Sequence, residues 1–273
     1  MNQINFTAEK TSQIKQNNFE LRKLMSLPPI KSSEINAVAL PPELPPQNAV
    51  TGDQEVDAVL WLEAVVGSGN TTHIKMALEA IKAIKTPLKE LGKRYSAYMV
   101  ATNPGNFLAG IRFVDFGDLT ALANRAITEC QRKNKALSAF GSVDALFAES
   151  PAEKFCIKVL RGIKEDGSYF LPQDNCNKRF MKHTDMMPST LDDCLFEIAY
   201  WDEMYSLRNS FGTGDHSAQV NARTDFLYHM LALIHPRDKA EALDVLEYVL
   251  EQDSDRNENA SILRNLVGGS SWN

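Results

Sequence analysis

Residues 190–211, TLDDCLFEIAYWDEMYSLRNSF, decide the fold class. Leu191, Leu195, Ile198 and Trp201 recur at helical steps on one side, and Phe196, Tyr200, Leu207 and Phe211 recur on another. A helix that is apolar on two sides has to be covered on two sides, so this stretch predicts the central helix of an α-helical domain. Thr190 with Asp193 starts it: the hydroxyl accepts an otherwise unpaired backbone N–H, and the carboxylate three residues on favours the positive end of the helix dipole.

The same start signal recurs outward along the chain: Thr51 with Gln54, Ser150 with Glu153, Asp238 with Glu241, and Asp255 with Glu258. Pro151, at a first helical position, strengthens the second of these. The spacing predicts helices near 53–66, 71–102 with a break at Thr86-Pro87, 118–137, 142–148, 151–165, 190–210, 217–235, 238–252 and 256–267. Strand-like alternation is confined to Ile111–Phe116 and Tyr169–Leu171. The expected fold is all-α or nearly so, an irregular multi-helix domain carrying a flexible Pro-rich N-terminal arm.

That arm is residues 1–50. It holds six of the twelve prolines (28, 29, 41, 42, 45 and 46), no glycine, and only Phe6 and Phe19 as aromatics. This is the composition of a disordered N-terminus, and its double prolines make residues 28–50 a semi-rigid extended spacer. Within it, Phe19, Leu21, Leu24, Met25 and Leu27 lie close together, forming a short amphipathic turn that orders on a protein partner. Residues 51–165 form a basic helical half and 190–273 an acidic one. Residues 166–189, which have no usable period, read as a long connecting loop.

At 44% hydrophobic and 23% charged, 273 residues build an ordinary globular core. The net charge of −6 excludes a generally basic nucleic-acid coat. Cys130, Cys156, Cys176 and Cys194 have no CxxC pair and no close histidine, which removes zinc-ligand spacing and a disulfide framework. Charged residues interrupt every apolar run among the first 25 residues, and Asp57 and Glu63 break the most apolar stretch, Val56–Val66. A cytoplasmic protein with no membrane partner is therefore expected.

Charge is divided along the chain. Eleven Lys and Arg face five Asp and Glu over residues 75–135, against five and fifteen over residues 190–260. Lys75, Lys82, Lys85, Lys89 and Lys93 form a cationic stripe on the helix expected at 71–102, and Arg132, Lys133 and Lys135 extend it. Such a face suits nucleic-acid phosphates, an acidic protein, or the acidic half of a second subunit in a homo-oligomer. A solvated surface accounts for it as well, and no base-reading aromatics are interleaved with the lysines.

Catalytic signals are sparse. Val114–Gly117 (VDFG) with Asn103–Asn106 upstream resembles the magnesium-binding stretch of protein kinases and aminoglycoside phosphotransferases over about 15 residues. Ala101 stands where those families place the catalytic Asp, and no Gly-rich phosphate loop precedes it, so Asp118 reads as a helix cap. Val66–Thr71 (VGSGNT) reads as a helix stop and restart. Asp193 with Glu197, and Glu241, Asp244, Glu247 and Glu251, are spaced as helix carboxylates of a metal-dependent hydrolase, yet Glu241, Asp244 and Glu251 lie opposite Leu243, Leu246 and Leu250 as a solvated face does. Asp202 shares the stripe of Leu195 and Ile198 and calls for a buried partner among Arg208, Arg223 and His229. His229 reads as a core residue and Asp215-His216 as a helix cap. No GxSxG serine is present and Cys176 has no identifiable base. No catalytic residue, metal or cofactor is assigned. The leading reading is a non-catalytic adaptor or assembly protein, followed by a nucleic-acid-associated regulator and then a helical metal-dependent hydrolase.

Overall fold

The computed structural model describes residues 16–30, 43–105, 116, 118–164, 171–252 and 258–268, and among them there is no strand. No helix of the described residues is long and apolar enough to cross a membrane. Both expected strand segments lie outside the described residues except for Phe116 and Leu171, which are buried. The kinase-like VDFG segment is outside as well, save Phe116.

The chain divides into two compact units. Unit 1 takes its described residues from Met1–Pro28, Phe147–Asn209 and Thr213–Asn273, and unit 2 from Pro29–Leu146 and Ser210–Gly212. The division falls after Leu146, whereas the basic half read from the sequence extends to residue 165.

Unit 2 contains α2 (Gln54–Gly67), α3 (Thr71–Ala80), α4 (Leu88–Thr102), α5 (Leu119–Phe140) and all but the last residue of α6 (Val143–Phe147); α1 (Phe19–Leu24) precedes them in the chain and belongs to unit 1. Helix α2 is the hub, touching α3, α4 and α5. One apolar cluster joins Leu62, Val65 and Val66 to Ile74, Ala77, Leu119 and Ala123; a second joins Val56 and Val59 to Leu91 and Phe116. The expected stop and restart at VGSGNT is present. Gly69 turns the chain at φ +74°, a β-carbon there would stand 3.1 Å from the Ala126 carbonyl oxygen, and Asn70 caps α3. Asp118 caps α5 by accepting from Ala121 N–H at 2.7 Å, and Asp53 rather than Thr51 caps α2.

The expected helix over 71–102 breaks earlier than Thr86-Pro87. A 3-10 turn, Ile81–Ala83, ends α3, and the chain stays non-helical until Leu88. Ile81 and Ile84 are partly buried against both apolar clusters in this interval. Residues 45–50 are also tied to unit 2: Trp61 Nε1 donates to the Pro45 carbonyl at 2.7 Å and Tyr98 Oη to the Val50 carbonyl at 2.7 Å.

Unit 1 contains α1, α7 (Pro151–Val159), α8 (Gln173–Phe180), α9 (Leu191–Asn209), α10 (Ala218–Leu231), α11 (Lys239–Glu251) and α12 (Asn259–Gly268). The expected central helix is α9: it touches α1, α10 and α11 and buries Leu191, Ile198, Tyr200, Trp201, Met204 and Leu207 around its circumference. The Ser150–Glu153 capping box is complete, with Pro151 in the first turn.

Helix α8 lies where a long loop was expected. Its sequence, QDNCNKRF, is mostly polar, and its apolar signal is the single pair Cys176 and Phe180, both buried. Gln173 and Asn177 reinforce it by side-chain hydrogen bonding, and Gln173 Nε2 also donates to the Ala222 carbonyl of α10 at 3.1 Å. The lack of an apolar stripe hid the helix.

Candidate functional site

Helix α1 is six residues long, shorter than an isolated helix can sustain, so its stability comes from what it docks on. It docks on the first turn of α9 and on the 3-10 turn Thr184–Met186 that precedes it. Of the residues expected to meet a partner, Leu21 and Met25 are fully buried within this same unit, Leu24 and Leu27 are half-buried, and Phe19 is 73% exposed. The amphipathic turn is thus satisfied within its own chain.

Polar groups fix its register. The Asn18 side chain donates to the Asp185 and Met187 carbonyls at 2.9 and 2.8 Å, and its Oδ1 accepts from Leu21 N–H to cap α1. Asp193 is fully buried. One carboxylate oxygen accepts from the Asn18 and Ser189 N–H groups at 2.8 and 3.0 Å, and the other accepts from Arg22 Nε at 2.8 Å. Arg22 Nη2 reaches Asp192 at 2.7 Å, and the guanidinium lies 4.8 Å from the Phe196 ring centroid. Burial works against the Arg22 cation, but hydrogen bonds to Asp193 and Asp192 outweigh it and hold its pKa above the ordinary value. Thr190 caps α9 as expected, accepting from Asp193 N–H at 3.1 Å, and its hydroxyl donates to Asn17 Oδ1 at 2.9 Å.

Two buried glutamates of unit 1 are each matched with a buried arginine. Glu197 and Arg223, both without exposure, form a two-pronged pair with both contacts at 2.7 Å, and Trp201 Nε1 donates to the same carboxylate at 3.2 Å. The Arg223 guanidinium sits over Phe180 and Phe226 at 5.0 and 4.9 Å, and its Nη2 also donates to the Met186 carbonyl. Glu153 and Arg208 form a second two-pronged pair at 2.6 and 3.0 Å. Burial raises the Glu153 pKa, but Arg208 and the capping N–H of Ser150 lower it further, below the ordinary carboxylate range. Gly214 runs so close to Arg208 that a β-carbon would overlap its Cβ.

These pairings correct several expectations. Asp202 is exposed, and Arg223 serves Glu197 instead. Glu241 is buried rather than solvated. It accepts from Asp192 N–H at 3.0 Å and Arg237 N–H at 2.7 Å, whereas Asp244 and Glu251 are exposed as expected; Glu247 is exposed too, and so are Leu243 and Leu250, which were expected on the covered side. Ser217, not Asp215 or His216, caps α10. His216 packs against Trp201 and Tyr205 with Nε2 3.1 Å from the Trp201 carbonyl oxygen, and burial lowers its pKa. His229 is half-buried. Burial pushes the Cys156 thiol up to about 12 and raises Cys194 and Cys176, so these thiols are poor nucleophiles. Asp193 and Glu197 have their oxygens filled by N–H donors, which a metal would have to displace. Among the described residues no three His, Cys, Asp or Glu side chains cluster as a metal site.

The basic face is spread over several elements. Lys75 is on α3, Lys82 on the 3-10 turn, Lys85 in the connection, Lys89 and Lys93 on α4, and Arg132 and Lys133 on α5. All are exposed except half-buried Lys133. Lys82 pairs with Glu79 at 2.6 Å, Lys133 with Glu129 at 3.1 Å and Lys93 with Glu90 at 4.0 Å.

Sequence reasoning picked out the apolar side chains of α1 but not Asn18 and Arg22, which orient it. An Asn directly before the apolar turn and an Arg one residue after Leu21 were the available signals. Comparison with protein-family models, curated proteins and solved structures gives no match for this chain.

Proposed function

We propose that this chain is a non-catalytic helical interaction protein, an adaptor or assembly factor, that engages protein partners through the acidic groove at the start of α9. The reading rests on one observation: residues 17–25 dock on the start of α9 and the 3-10 turn before it as a short segment, with Leu21 and Met25 buried and Arg22 on Asp192 and Asp193. This is the helix-in-groove mode of peptide recognition, built from an i, i+4 apolar pair and one cation. A partner presenting the same pattern exchanges with the segment, because departure of Arg22 leaves the buried Asp193 carboxylate without its cation.

The experiment uses a fluorescent peptide of residues 16–28 and the full chain carrying Leu21→Ala and Met25→Ala. The peptide should bind this variant saturably, bind the wild-type chain more weakly because the tethered segment competes at high effective concentration, and lose binding when its own Arg22 is alanine. No binding to the variant chain overturns the reading. Nucleic-acid association through the Lys75 to Lys93 face has less support, because Lys82 and Lys93 already have carboxylate neighbours. Its mark is a salt slope of duplex binding that flattens when these lysines become glutamine.

A further inference from the structure

A cavity of about 420 Å³ opens in unit 1 between the end of α7 and α8. Its lining includes Gly162 and Lys164 on one side and Asn175, Lys178, Arg179 and Lys182 on the other. We propose that this cavity binds an oligophosphate, a small ligand carrying two or more adjacent phosphoryl groups.

Four cationic side chains border one small space, and none is ion-paired with a carboxylate among the described residues. Asn175, Lys178, Arg179 and Lys182 follow at steps of three, one and three, which brings them to one side of α8 and the turn after it. Lys178 and Arg179 stand in the last turn of α8, where the negative end of the helix dipole accounts for two cations. It does not account for Lys164 and Lys182, which lie outside the helix. Like charges held together repel, and a multiply charged anion relieves that repulsion as a monoanion does not. Arg179 offers a planar fork suited to two phosphate oxygens, the lysines add compact charges, and the Asn175 amide adds a neutral donor.

The volume suits a small molecule. Residues 190–260 carry fifteen Asp and Glu against five Lys and Arg, so the cavity's four cations are set apart from the charge of that stretch. A compact oligophosphate needs only the local positive field of Lys164, Lys178, Arg179 and Lys182.

The test is calorimetric titration of the full chain with sodium tripolyphosphate and, in a separate arm, with magnesium-free adenosine triphosphate. Saturable one-to-one tripolyphosphate binding is expected. It should weaken roughly tenfold or more in K178Q/R179Q/K182Q, which removes three charge-assisted contacts from exposed positions, and stay unchanged in K82Q/K89Q/K93Q of unit 2. Equal binding of the nucleotide identifies nucleotide phosphates as a source; binding of tripolyphosphate alone identifies the free oligophosphate. If tripolyphosphate does not bind, the proposal is overturned, as it also is if the K178Q/R179Q/K182Q variant binds equally well.

Discussion

In unit 2 the side chains that close over one another are Val56, Val59, Leu91 and Phe116 in one cluster and Leu62, Val65, Val66, Ile74 and Ala77 in the other, with no charge among them. In unit 1 the interior also holds Glu153, Asp193, Glu197, Arg208, Arg223 and Glu241. Of the ten buried polar or charged residues described, only Ser210 belongs to unit 2. The first kind of core is set by volume and tolerates any apolar side chain that fills it. The second is set by pairing, and one lost partner strands a charge where water does not reach.

The largest test of that contrast is Arg223→Met. Glu197 is left buried and unpaired, and unit 1 should lose about 3–5 kcal/mol in urea unfolding. The double variant Glu197→Leu with Arg223→Met should recover most of the loss, because an apolar pair carries no desolvation penalty. A double variant no better than the single one would mean that Arg223 acts mainly through its three phenylalanine neighbours and the Met186 carbonyl. The counterpart in unit 2 is Leu91→Ala, which removes a fully buried side chain and should cost about 3 kcal/mol, with no partner substitution able to restore it.

This contrast also explains what the sequence made legible. Apolar recurrence is local, so the double-sided α9, the turn at Gly69 and Asn70, and the caps at Asp118, Ser150, Thr190 and Asp238 were readable from neighbouring residues. Charge pairing is not local. Glu197 meets Arg223 across 26 positions and Glu153 meets Arg208 across 55, so nothing in either helix names its partner. Asp202 shares an apolar stripe in sequence, but it is exposed, and the carboxylates of α9 that are buried are Asp193 and Glu197, the latter beside Trp201. Helix α8 escaped notice for the related reason that polar contacts, not an apolar stripe, hold half of it in place.

A gentler test uses pH. The folded-state pKa of His216 lies below its ordinary value because burial disfavours the imidazolium, so the unfolded chain binds the proton more readily. Stability is therefore fully present above about pH 6.5 and declines as pH falls below it. Glu153 has a lowered folded pKa too, and its contribution is lost in a second window below about pH 4.3 as the Arg208 pair is protonated apart. Melting temperature followed against pH should show both steps, and His216→Asn should remove the upper one while leaving the lower. A single acid step unaffected by His216→Asn would mean that the imidazole is protonated equally in both states.

The smallest effect compares two helix starts. Asp53 caps α2 by accepting from two N–H groups, and its replacement by alanine should cost unit 2 about 1 kcal/mol. Ser150 caps α7 in the same manner, but it is also within reach of the Tyr200 hydroxyl at 3.3 Å, and its N–H donates to the Glu153 carboxylate that Arg208 holds. Ser150→Ala removes the cap and leaves the Tyr200 hydroxyl without that acceptor, so about 1–2 kcal/mol is expected. Adding Tyr200→Phe removes the stranded hydroxyl along with its partner, so the double variant should cost less than the two single losses combined. Strict additivity would mean that the Tyr200 hydroxyl has another partner and that Ser150 is an ordinary cap, no more coupled to the charged interior than Asp53 is to the apolar one.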